Sequence, residues 1–166
     1  MTIPKVPALA VTIRVPDDRH RSSTARPGGA HGTTKETTMR YALLLHNGEP
    51  SPGEIPAEGI AEMERLFAEY GQALESAGVL VAGEVLQFSD AATTVTRRTG
   101  ATQVQDGPFA ETKEALAGIF VVEVPDADAA IAWAEKCPGA SYGSVEVRPV
   151  ATSLAGGVWT GHGPAE

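Results

Sequence analysis

The order in which the hydrophobic pattern changes its period constrains the fold more than any other feature of this sequence. Short apolar runs typical of strands alternate with stretches in which apolar residues recur every three or four positions, as on one face of a helix. The predicted elements are a strand at residues 41–46, a helix at 56–77, a strand at 79–87, a hairpin at 93–105, a strand at 118–124, a helix capped by Asp126 and a strand at 144–151. Without the hairpin this order is β-α-β-β-α-β, which is typical of a ferredoxin-like α+β sandwich with two helices on one face of an antiparallel sheet.

The predicted strands carry apolar residues on both of their faces. Leu43 alternates with Ala42 and Leu44, and Phe120 follows Ile119. Two helices cover only one face of a four-stranded sheet, and a large bare apolar face favours aggregation. We therefore expect a homodimer in which the two sheets pack face to face.

Residues 1–38 differ in composition from the rest of the chain. They carry six basic and three acidic side chains, and since the whole chain has a formal net charge of −8, the remaining residues carry −11. Proline and glycine interrupt any hydrophobic period, so we predict a disordered N-terminal extension, a folded domain at residues 39–151 and a flexible C-terminal tail at residues 152–166. An acidic domain repels phosphate backbones, so we expect no nucleic-acid partner.

The single cysteine, Cys137, excludes an intrachain disulfide and a cysteine-based zinc cage. We therefore expect a cytoplasmic protein. No apolar run approaches the roughly 18 residues that span a bilayer, so we expect no membrane partner. The sequence has no glycine-rich phosphate-binding motif, and we expect neither a metal nor another cofactor.

A stretch of mixed polarity after the predicted hairpin points to a known family. Residues 106–114 read DGPFAETKE, with AGE at residues 82–84 before them and YGSVEVRP at residues 142–149 after them. From about residue 39 to residue 150 the chain resembles the DGPF branch of the YCII-related proteins. The resemblance implies a dimeric α+β barrel, which agrees with the predicted fold. It implies no settled activity, because some members are linked by gene neighbourhood to extracytoplasmic-function sigma factors and others are suspected enzymes.

The wider YCII-related family has a suggested active site built on a His-Asp pair, with the His near the start of the first helix and the Asp near the end of the second. Here residues 56–63 contain no His, and Cys137 stands roughly where the Asp is expected. The resemblance therefore does not carry this pair over to the chain.

The candidate catalytic residues are Asp106 and His46. His46 is the one histidine inside the predicted domain, and it is either a partly exposed residue at a strand end or a proton carrier. Asp106 either forms a turn with Gly107 or acts as a general base, or it orients His46. Phe109 is expected to anchor this loop in the core. Lys113 would hold a substrate anion or pair with a neighbouring carboxylate.

Two charges lie within apolar strands and are candidates for ligand binding. Glu84 alternates with Leu80 and Leu86, which places the three on one face of the predicted strand, and Arg148 lies in the last predicted strand. Because buried charges are costly unless they are paired, Glu84 and Arg148 are either an ion pair or part of a cavity lining. The hydroxyl of Tyr142 is a further candidate for the same cavity.

Three functions are compatible with these residues. The first is an enzyme that transforms a small polar molecule in a barrel cavity near the DGPF loop, with Asp106 and His46 moving protons. The second is a non-catalytic dimer that binds such a molecule through the same cavity. The third is a regulatory partner of a sigma factor, which would use an exposed surface for protein contact.

Overall fold

A computed structural model describes residues 38–51, 53–98 and 100–162. Apart from Thr38, the predicted N-terminal extension lies outside the described residues, as does the end of the predicted C-terminal tail. No helix in the described ranges has both the length and the hydropathy needed to cross a membrane.

The described chain has an α+β fold with two helices and three antiparallel sheets. The elements are β1 (Met39–Asn47), α1 (Ala57–Ser76), β2 (Leu80–Val85), β3 (Thr93–Thr96), β4 (Gln103–Asp106), β5 (Ala115–Val124), α2 (Ala127–Lys136), β6 (Ser144–Pro149), β7 (Thr152–Ala155) and β8 (Val158–Gly161). The main sheet has the strand order β2-β5-β1-β6, and every neighbouring pair in it is antiparallel. The predicted α+β class is confirmed, and the arrangement is compatible with a ferredoxin-like sandwich.

One face of the main sheet packs against both helices and forms the core. Alternate residues of β1 and β5 point into this core, and the two helices add one apolar stripe each. The buried set is Tyr41, Leu43, Leu45, Tyr70, Leu74, Phe120, Val122, Val124, Ala130, Ala134 and Cys137. The core thus sits between the sheet and the two helices.

The two helices begin and end where local chemistry favours it. The Asp126 side chain accepts a hydrogen bond of 2.8 Å from the Ala129 backbone N–H, so the predicted cap of α2 is confirmed. Helix α1 is followed by Gly78, whose φ of +68° ends the helix in a conformation that glycine adopts without strain.

The opposite face of the main sheet, which we call the open face, carries apolar side chains that neither helix covers. Ala42 and Leu44 of β1 lie beside Val121 and Ile119 of β5, and all four are partly exposed. These residues alternate with the core residues along each strand, as the sequence predicts.

The segment expected to form a flexible C-terminal tail contains the β7–β8 hairpin. Gly156 and Gly157 join the two strands with φ angles of +57° and +79°, which a two-residue turn between antiparallel strands requires. The glycine pair is therefore a hairpin signal within the segment that the sequence analysis assigned to a flexible tail.

Strand β2 contains an irregularity that corrects the expected arrangement of its side chains. Its register against β5 shifts between Leu80 and Ala82, so that Leu80 lies opposite Val122 and Glu84 opposite Ile119. Leu80 therefore packs against the core, whereas Glu84 lies on the open face. The prediction that Leu80 and Glu84 share one face is wrong, because strict alternation does not hold across a bulge.

Candidate functional site

A cavity of about 600 Å³ lies between α1 and one end of the main sheet. Its floor is apolar, and its polar residues come mainly from the loop between β1 and α1. The main apolar lining residues are Leu45, Ile55, Ile60, Met63, Phe67, Val85, Leu86, Phe88 and Phe120. A cavity of this size and character is typical of small-molecule sites.

Helix α1 divides its apolar stripe between the cavity and the core. Nearer its N-terminus, Ile60, Met63 and Phe67 line the cavity, whereas Tyr70 and Leu74 nearer its C-terminus are buried in the core. The ring of Tyr70 packs edge to face on Phe120 with a centroid separation of 5.2 Å. Phe120 also lines the cavity, so this aromatic pair links the cavity wall to the core.

Residues 48–51 and 53–55 of the loop between β1 and α1 form the mouth of the cavity, and Glu49 fastens the loop to the segment after β2. The Glu49 carboxylate accepts hydrogen bonds of 2.6 Å from both the backbone N–H and the hydroxyl of Ser89. Within the loop, Glu54 accepts a hydrogen bond of 2.7 Å from the Ser51 backbone N–H. Charge-assisted bonds of this kind hold the loop in one position beside the cavity.

Of the six predicted site residues, the cavity lining includes Glu84 and Tyr142. Burial raises the pKa of the Tyr142 hydroxyl, and nearby Cys137 raises it further. Burial also raises the pKa of the Cys137 thiol, which keeps it protonated and unreactive at neutral pH. Tyr142 can thus donate a hydrogen bond in the cavity.

His46 belongs to a separate polar cluster on the open face. Its Nε2 atom lies 3.7 Å from Glu146 Oε2, and this nitrogen is buried without a hydrogen-bond partner among the described residues. Opposite it in the sheet, Ser144 donates a hydrogen bond of 3.2 Å to Glu114. Arg148 donates to Glu146 at 2.9 Å. The structure therefore joins His46 and Arg148 through Glu146, a residue that the sequence analysis did not single out.

Of the two alternatives for Glu84 and Arg148, an ion pair or a cavity lining, the ion pair is wrong. Glu84 lies on the edge strand β2 and Arg148 on the opposite edge strand β6, with β5 and β1 between them. At the ordinary strand spacing of about 4.8 Å, this separates them by roughly 14 Å. Both residues are exposed, so neither charge needs a buried partner. Both strands were treated as buried in the sequence analysis. Both are edge strands, and charged side chains on edge strands can reach solvent.

The DGPF loop lies away from the cavity. Asp106 ends β4 opposite Thr93, and Gly107 adopts a φ of +95° while its N–H donates to the Ala92 carbonyl at 2.8 Å. Among the described residues that line the cavity, none is Asp106, His46, Lys113 or Arg148. The structure therefore does not bring Asp106 and His46 together in it.

Phe109 is 77% exposed, so the prediction that it anchors the DGPF loop in the core is wrong. Its ring contacts Arg98 instead, with 5.6 Å between the guanidinium carbon and the ring centroid. The β3–β4 hairpin forms a sheet of its own, which leaves this loop far from the core between sheet and helices.

The residues that sequence reasoning missed are the apolar ones. Ile60, Met63 and Phe67 carry the same periodic signal as core residues. Val85 ends the strand β2, and Leu86 and Phe88 follow it. Within the described ranges, no group of three or more His, Cys, Asp or Glu side chains is arranged to hold a metal ion. The apolar lining of the cavity is suited to enclosing an apolar molecule.

Two comparisons with known proteins each give a match over about two thirds of the chain. The family model for the YCII-related domain matches residues 39–153. An uncharacterized protein of Rhizobium meliloti (strain 1021) is 36% identical to the chain over 115 residues, which cover 68% of this chain and 93% of that protein.

Proposed function

The chain belongs to the YCII-related domain family, and on that premise we propose that it binds a small molecule with a largely apolar body in the cavity between α1 and the main sheet. The observation that carries this proposal is the cavity of about 600 Å³ with an apolar floor and a fastened polar mouth. Burial of apolar ligand surface supplies affinity, and the few polar groups supply orientation.

The geometry favours binding over catalysis. The two catalytic candidates, Asp106 and His46, belong to different sheets, and neither is among the residues that line the cavity. A general base must come within hydrogen-bonding reach of the proton that it removes. A catalytic role for either residue stays a prediction, and so does the partnership with a sigma factor.

We also propose that the protein is a homodimer that covers the open face. Support for this assembly comes from the partly exposed residues Ala42, Leu44, Ile119 and Val121. Excluding water from apolar side chains in the middle of a sheet lowers the free energy, so a second surface packed on them stabilises the dimer. The cavity lies on the helix side of the sheet, so such a dimer leaves it open to ligand.

A cavity-filling variant tests the binding proposal. A thermal-shift screen of small apolar compounds should give hits with the wild-type protein. Met63→Trp places a larger side chain in the cavity and should abolish the shift, whereas Leu66→Trp on the exposed side of α1 should retain it. Met63→Phe is a milder substitution that keeps the test valid if the tryptophan variant does not fold. Absence of any hit, or unchanged binding in folded Met63 variants, would contradict the proposal.

A further inference from the structure

The charged residues that line the cavity all have the same sign. They are Glu49 and Glu54 at the mouth and Glu84, whose side chain lies on the open face, and the lining contributed by the described residues includes no Lys, Arg or His. An anionic ligand would therefore lose its hydration and meet only negative charges. A ligand with a positive group would have the carboxylates of Glu49 and Glu54 beside it at the mouth.

Two backbone donors near the mouth are also unavailable to an anion. Ser89 N–H lies at the start of a short helical turn, a position that favours negative charge, and the Glu49 carboxylate already occupies it. Ser51 N–H is likewise used by Glu54. The carboxylates of Glu49 and Glu54 thus occupy the Ser89 and Ser51 N–H groups, which could otherwise bind an anionic ligand.

The start of α1 is another source of positive potential near the mouth. Ile55 and Ile60 line the cavity, but residues 57–59, which form the first turn between them, do not. The first turn carries Glu58, an acidic residue that favourably opposes the helix dipole at this end. The helix terminus therefore does not offset the acidic lining.

Resting on the proposed function, we infer that the ligand is a cationic apolar molecule, of the class of primary or secondary amines with an aryl or alkyl body. The body lies on the floor formed by Ile60, Met63 and Phe67. The ammonium group lies at the mouth, where carboxylate oxygens of Glu49 and Glu54 accept its hydrogen bonds. A carboxylate can accept about four such bonds, so its contacts with Ser89 or Ser51 leave acceptor capacity for a ligand.

Three compounds with a similar apolar body and different head-group charge test whether the cavity prefers a cation or only binds the apolar body. Phenylbutylamine, phenylbutanol and phenylbutyrate should be titrated into the full chain at neutral pH by calorimetry. We expect the amine to bind about tenfold more tightly than the alcohol, and the acid to bind most weakly. If the acid binds as tightly as the amine, or the alcohol equals the amine, the inference is overturned while the proposed function stands. If none of the three binds, both are overturned.

A charge-removal variant tests the assigned carboxylates. In Glu49→Gln/Glu54→Gln, affinity for phenylbutylamine should fall by about tenfold more than affinity for phenylbutanol, because glutamine keeps an acceptor for the Ser89 and Ser51 donors and loses the charge that only the amine needs. The matched control is Glu64→Gln/Glu75→Gln, which removes the same charge from exposed positions of α1 outside the lining. Equal losses for amine and alcohol, or equal effects of the two double variants on amine binding, would overturn the inference.

Discussion

At the scale of single residues, glycine decides how closely two parts of the backbone approach. Gly143 precedes β6, and a Cβ at this position would lie 2.3 Å from the His46 carbonyl oxygen and 2.9 Å from Asn47 Cβ. A backbone carbonyl in a sheet cannot move aside as a flexible side chain does. Gly118 in β5 is similar, since a Cβ there would lie 2.8 Å from the Glu84 carbonyl oxygen.

We predict that Gly143→Ala destabilises the fold by about 1 to 3 kcal/mol, the usual cost of overpacking a close contact. Urea unfolding followed by circular dichroism measures this change. The control is Gly48→Ala, where the new Cβ would lie at an ordinary 3.8 Å from the Lys113 carbonyl oxygen and should change stability little. Equal effects of the two substitutions would show that the close approach is not what constrains residue 143.

At the scale of elements, each helix depends on a different stabilising feature. Helix α1 has 20 residues and its exposed side carries Arg65, which bonds to Glu62 and Glu69 at spacings of three and four residues. Helix α2 has 10 residues, a length at which isolated helices are marginal in water. Its cap at Asp126 and its packing against the sheet are therefore needed to keep it folded.

We predict that Asp126→Ala lowers the free energy of unfolding by about 1 kcal/mol, because the Ala129 N–H loses its partner. Asp126→Asn retains an acceptor at the same position and should cost less. Thermal unfolding of both variants measures the difference. If alanine and asparagine were equally destabilising, the hydrogen bond would not be the source of the effect.

At the scale of the whole molecule, the main sheet has two different faces. One face is covered by α1 and α2. The open face carries Leu44 of β1 and Val121 of the neighbouring strand β5. Both hairpins add exposed apolar residues, since Val95 opposite Val104 and Leu154 opposite Trp159 are all more than half exposed. These surfaces favour association of two copies.

We predict a dimer of about twice the chain mass of 17.2 kDa in sedimentation equilibrium at micromolar concentration. Val121→Glu should raise the dissociation constant of the dimer by at least about a hundredfold, because the interface would bury an unpaired charge. Ala68→Glu, on the exposed side of α1, changes the charge equally and should leave the dimer intact. A wild-type monomer would contradict the proposed assembly.

Local patterns were sufficient to predict most of the fold. The alternation of Leu43 with Leu44, the periodic stripe of α1 and the cap at Asp126 each depend on residues close together in the chain, and the structure agrees with all three. The bulge after Leu80 and the Gly156-Gly157 turn were not predicted. The glycine pair does indicate a hairpin turn, because it lies between two short segments that can form strands.

The sequence by itself determined the order and periodicity of the elements, since these follow from short-range hydrophobic patterning and capping. Only the tertiary structure decided which residues share a site. The separation of Glu84 from Arg148, the contact of His46 with Glu146 and the cavity beneath Met63 depend on the strand order and on how α1 lies on the sheet. A core leucine and a cavity-lining methionine carry the same periodic signal, because burial against protein and burial against a cavity require the same apolar surface.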